Sequence, residues 1–129
     1  MNYMPSLRGA VAVKAWNDDI VFQSKTKDDA APKGGKGTLL LGIFVAKGKT
    51  IGGEGRSPTR VELSAPKGVA FDRSEVTVPE ALSHGRKLLQ LRYSVAPDAA
   101  SGEVRVKVTY QPAGAEPRVV TFSVPVAVK

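Results

Sequence analysis

Hydrophobic and polar positions alternate most strictly near the end of the chain. Residues 103–110 (EVRVKVTY) set Val104, Val106, Val108 and Tyr110 on one side of an extended backbone and Glu103, Arg105, Lys107 and Thr109 on the other. A period of two belongs to a strand with one buried and one wet face. After a connection containing Pro112, Gly114 and Pro117, a second run alternates Val120, Phe122, Val124, Val126 and Val128 against Val119, Thr121, Ser123, Pro125 and Ala127. Two β-branched runs joined by a short Pro/Gly segment predict an antiparallel hairpin. Pro125 has no N–H to give to a ladder, which assigns its strand to a sheet edge or a bulge.

The earlier pattern predicts partners for this hairpin. Residues 10–16 read as a strand, Asp18-Asp19 as a turn, and residues 20–24 as a strand with Ile20 and Phe22 inward. Residues 38–46 (TLLLGIFVA) are apolar on both faces, with Leu39, Leu41, Ile43 and Val45 opposing Leu40, Gly42, Phe44 and Ala46. That is the pattern of a central strand covered on its second face as well. Further short strands are expected at 59–65, with Val61, Leu63 and Ala65 inward, and at 69–71, 75–78 and 87–95, while 79–85 has room for one helical turn at most. Seven to nine short strands, turns rich in Gly and Pro, and no long amphipathic helix together predict an all-β antiparallel sandwich. Residues 1–129 form one domain, with 1–9 a loose N-terminal segment. Leu41, Ile43, Val106, Val108 and Phe122 are the expected core, and Trp16 belongs to the core or its margin.

Charge singles out two segments. The chain carries a net charge of +7, and residues 1–60 hold ten basic and five acidic side chains. Lys25, Lys27, Lys33 and Lys36 fall in the polar stretch 25–37, and Lys47, Lys49 and Arg56 in the Gly-rich stretch 47–58. Both read as loops with too few apolar residues to pin them, so they are expected to be mobile and to sit together as a lysine-rich surface for an acidic partner. Neither stretch contains the aromatic stacking platforms that single-strand nucleic-acid binders interleave with basic residues.

Catalytic chemistry finds no foothold. Without cysteine there is no disulfide, thiolate nucleophile or zinc finger. His84 is the only histidine, read as an exposed loop residue, which excludes a His-ligand metal site. Gly48-Lys49-Thr50 imitates a phosphate loop, but the glycine that the motif requires falls at Ile43, and no helix start follows. The pairs Asp18-Asp19 and Asp28-Asp29 are turn chemistry and lack the alternate spacing of a calcium loop. The longest apolar run, 38–46, is far short of the ~20 residues that cross a bilayer as a helix. No enzyme activity, cofactor or metal is expected.

Three stretches, 39–48 (LLLGIFVAKG), 58–69 (PTRVELSAPKGV) and 95–128, follow one another in an order that resembles the N-terminal domain of the thiol–disulfide interchange proteins, the transmembrane disulfide reductases. The resemblance implies an immunoglobulin-like sandwich and a periplasmic or otherwise exported setting. In redox-active members a cysteine follows a Tyr-Gln pair after one residue; that position is Ala113 here, after Tyr110-Gln111-Pro112. A cysteine-free relative cannot exchange disulfides. The function expected is therefore a non-catalytic binding or assembly module of an exported protein. A structural or adhesive immunoglobulin-like domain and a basic polyanion-binding domain remain the alternatives.

Overall fold

The computed structural model describes residues 2–5, 13–16, 20–28 and 30–129, and the side chains of 20–28, 30–83 and 85–129. Two antiparallel sheets lie face to face as an immunoglobulin-like sandwich. The larger has the order β1 (Asn2–Pro5), β2 (Val13–Trp16), β3 (Ile20–Thr26), β4 (Lys36–Ile51), β8 (Leu82–Val95) and β6 (Val69–Phe71). The smaller has the order β10 (Arg118–Val126), β9 (Gly102–Tyr110), β5 (Thr59–Ser64) and β7 (Glu75–Val78). Nine of these strands coincide with those expected from the pattern. The tenth, β1, pairs with β2 and comes from the segment expected to be loose. The proposed turn at Asp18-Asp19 and the side chain of Trp16 lie outside the described residues.

The C-terminal hairpin forms in the expected register, from Arg118 opposite Tyr110 to Val126 opposite Gly102. Its β10 is the outer strand of the smaller sheet, which accommodates Pro125. The inward faces of the two sheets make one core. Leu41, Ile43, Val106 and Val108 are wholly buried, and Phe122 nearly so. Phe22 on β3 spans the interface, stacked on Phe122 at 5.9 Å and edge-on to Tyr110 at 6.2 Å. Such contacts add stability beyond the area that they bury.

Two strands run longer than their apolar patterns suggest. β4 continues through Gly48 to the buried Ile51, and β8 begins at Leu82, where a helical turn was expected. Their pairing runs unbroken from Lys36 opposite Ser94 to Val45 opposite Gly85, and resumes with Thr50 opposite Ser83. Ala46, Lys47, Gly48 and Lys49 thus bulge against the single position of His84, with Gly48 at φ +80°. His84 accordingly lies in a strand and not a loop; its side chain is outside the described residues. Ala65, expected inward, falls after the end of β5 and is exposed.

Both ends of the sandwich are tied. At one end Ala31 forms a parallel bridge with Val128, using Ala31 N–H to the Ala127 carbonyl (2.9 Å) and Lys129 N–H to the Ala31 carbonyl (2.9 Å). At the other, Gly52 N–H donates to the Gln111 carbonyl (3.0 Å) and Ala113 N–H to the Thr50 carbonyl (2.9 Å). Gly37 is needed where it stands, since a Cβ there would lie 2.4 Å from the ring of Tyr93.

Candidate functional site

The seven basic residues singled out by charge do not form one surface. Lys36 opens β4 and Lys47 lies near its far end, eleven residues on, which is about 36 Å of extended chain. Lys25, Lys27, Lys33 and Lys36 therefore sit at one end of the sandwich, and Lys47, Lys49 and Arg56 at the other. The expected union of the two loops is wrong. It failed because the apolar stretch between them is a single long strand, which holds its flanks apart.

The loops are also less independent than their composition suggests. Lys25 belongs to β3, and Lys27 N–H donates to the Thr38 carbonyl (2.8 Å). Buried Ala31 pins the first loop, and buried Ile51 pins the second. Arg56 turns back on its own loop, its Nη1 donating to the Gly52 carbonyl at 3.0 Å, and Gln111 clamps that loop by accepting from Ser57 N–H at 2.7 Å. Among the described residues, no three His, Cys, Asp or Glu side chains cluster as a metal ion would need.

The strongest surface feature is the outer face of the larger sheet. The inward residues of β4 are Leu39, Leu41, Ile43 and Val45, so Leu40, Gly42, Phe44 and Ala46 face away from the core. This second face was expected to be covered. Among the described residues nothing covers it: Leu40 and Phe44 remain half-buried, with buried Gly42 between them. A Cβ on Gly42 would meet the Phe44 ring at 3.0 Å, so Phe44 folds over the glycine. Strand pairing sets Val21 opposite Phe44 and Leu88 opposite Gly42, and Leu88 is 53% exposed. Val21, Leu40, Phe44 and Leu88 form an apolar strip across three strands.

Cations frame this strip. Lys25 stands opposite Leu40, Arg86 opposite Phe44 and Arg92 opposite Thr38, while Lys36 opens the same face of β4; all four are exposed. No described residue of β3, β4, β6 or β8 places a carboxylate on that face. The smaller sheet behaves differently. Its outer positions mix Arg60, Arg105 and Lys107 with Glu62, Glu75 and Glu103, and Arg60 and Glu75 approach to 3.5 Å. That face satisfies itself and is solvated. Periodicity had already displayed Leu40 and Phe44; what composition hid was their conjunction with Lys25, Arg86 and Arg92, which only pairing across strands reveals.

No protein-family model and no curated protein matches the chain. A solved structure of the yeast GGA1 GAE domain is similar in fold, with a TM-score of 0.56 over 87% of this chain and 96% of that one, at 14% identity.

Proposed function

We propose that the chain is a non-catalytic protein-binding module that docks an acidic, partly apolar protein surface on the outer face of its larger sheet. The observation that carries this reading is the strip of Val21, Leu40, Phe44 and Leu88 framed by Lys25, Lys36, Arg86 and Arg92, whose described strands carry no carboxylate, with Asp72 beside Arg92 at the margin. Apolar surface ringed by charge marks contact sites, and an excess of cations steers acidic partners while rejecting basic ones. Redox chemistry has no thiol to use. The resemblance to disulfide-reductase N-terminal domains supports an exported setting, in which this sandwich serves assembly and not thiol exchange.

The test uses an amphipathic helical peptide with one leucine face and one glutamate face. Binding to this probe should weaken about tenfold or more at low salt when Arg86→Glu and Arg92→Glu are combined, and much less at high salt. Lys47→Glu, at the far end, should leave it unchanged. Equal binding of oligothymidylate would instead favour a general polyanion surface and overturn the reading.

A further inference from the structure

One flank of the sandwich is left open. β6 covers β8 only from Tyr93 to Val95, and the chain then leaves the larger sheet. Asp72 N–H makes the last contact, to the Arg92 carbonyl (2.9 Å), and Ser74 already belongs to the smaller sheet, accepting from Leu63 N–H (2.7 Å). From Arg86 to Leu91, about 20 Å of strand, β8 has β4 on one side and no strand on the other among the described residues.

The orientation of the open groups follows from the pairing. Val95 N–H points to the β4 side, bonding the Gly35 carbonyl (2.8 Å), whereas the Arg92 carbonyl and Ala96 N–H point to the β6 side. Alternation then directs the N–H and C=O of Leu88 and Gln90 outward along the open edge. Beside that edge a cleft of about 420 Å³ is lined by Val76 of β7, Leu89 and Leu91 of β8, and by Asp72, Arg73 and Arg92. A row of unpaired backbone groups next to a cleft with an apolar floor of Val76, Leu89 and Leu91 and a charged rim is what an added strand requires.

We infer that the open edge of β8 is a strand-addition site for an extended segment of another protein, antiparallel to β8, carrying an apolar side chain for the cleft and a carboxylate near its C-terminal end. Every pairing in this sheet is antiparallel, which sets the geometry. The side chain entering between Leu89 and Val76 must be apolar. Residues facing Leu88 and Gln90 lie on the outer side and contribute their backbone. Two positions on from Leu88 the segment meets Arg86, which calls for a carboxylate; at the other end Arg92 is already faced by Asp72, so the segment stops at Leu91. A second copy of this chain is the wrong occupant: it would bring Arg73, Arg86 and Arg92, with Asp72 beside them and Glu80 already paired to Lys87, against the same set on a molecule of net charge +7.

The inference extends the reading of the chain as a protein-binding module; the two sites share Leu88, Arg86 and Arg92, but only strand addition engages the edge amides of β8, so backbone readouts let either fail alone. The probe is the blocked peptide Val-Thr-Val-Thr-Val-Glu, whose two threonines fall opposite Gln90 and Leu88 and whose glutamate falls opposite Arg86. On adding it, the amides of Leu88 and Gln90 should pass from fast to slow hydrogen exchange, a change that side-chain docking on the outer face does not require. The same peptide N-methylated at both threonines keeps every side chain and loses two backbone donors; it should bind about tenfold more weakly or worse. Gln90→Pro removes the outward donor at an edge position where proline is tolerated, and should likewise weaken the unmethylated peptide. Equal binding of both peptides, or binding that leaves the two amides exchanging freely, would overturn the inference. So would a dimer with these amides protected before any peptide is added.

Discussion

Leu40 and Leu41 are neighbours in one strand with opposite duties, and alanine at each position separates packing from recognition. Leu41 is wholly buried between Ser24 of β3 and Leu89 of β8, in a core that offers little room to collapse. Leu41→Ala removes the transfer energy of the lost methyl and methylene groups and leaves a cavity, which together cost ~2–5 kcal/mol. For a chain of this length that lowers the melting temperature by about 3–5 °C for each kcal/mol. Leu40 is only half-buried on the outer face, so truncation there forfeits less than at Leu41, on the order of 1 kcal/mol. Binding of the acidic amphipathic probe should respond in the reverse order: weakened by Leu40→Ala and unchanged by Leu41→Ala under conditions where both remain folded. Guanidinium titration followed by far-ultraviolet circular dichroism gives the first quantity, and calorimetric titration of the probe the second. A loss well under 1 kcal/mol from Leu41→Ala, or equal losses at the two sites, would mean that the faces of β4 are misassigned.

Other consequences are local. Thr59 is fully buried and its hydroxyl has no hydrogen-bond partner among the described residues, so Thr59→Val should raise stability by about 1 kcal/mol in the same titration. Gly37→Ala should cost ~1–3 kcal/mol, since the new methyl collides with the Tyr93 ring and one of the two must move. Burial raises the pKa of Tyr93 above its ordinary value, and the charge of Asp28 adds to the rise. A raised tyrosine favours the fold while neutral, so this contribution is whole below the unfolded value of about 10 and is lost as pH rises through the folded value; Tyr93→Phe should flatten the alkaline fall in melting temperature.

The strands were legible because their alternation is strict. The faces of β9 and β10 can be read from valines alone, and Pro125 marks the sheet edge by chemistry that no partner can change. Where the reading went astray, an apolar anchor stood alone among polar residues. Ile51 follows Lys47-Gly48-Lys49-Thr50 and looks like part of a loop, yet it closes β4 because β8 reaches back to meet it across a bulge. Ala31 is equally inconspicuous, and its burial depends on Val128, nearly a hundred residues away. The candidate site was half legible. Leu40 and Phe44 announced a second apolar face, but the cations that frame it come from three strands whose adjacency depends on topology. Grouping lysines by their position along the chain instead joined the two ends of one long strand.

The most direct test is an amide chemical-shift map of the isotopically labelled chain titrated with the acidic amphipathic peptide at low salt. The account predicts shifts concentrated on Val21, Lys25, Leu40, Phe44, Arg86, Leu88 and Arg92, fading as salt is added, with Lys47, Lys49 and the outer face of β9 and β10 silent. Shifts centred on the loops at either end of the sandwich, or on the mixed-charge face carrying Arg105 and Lys107, would contradict it.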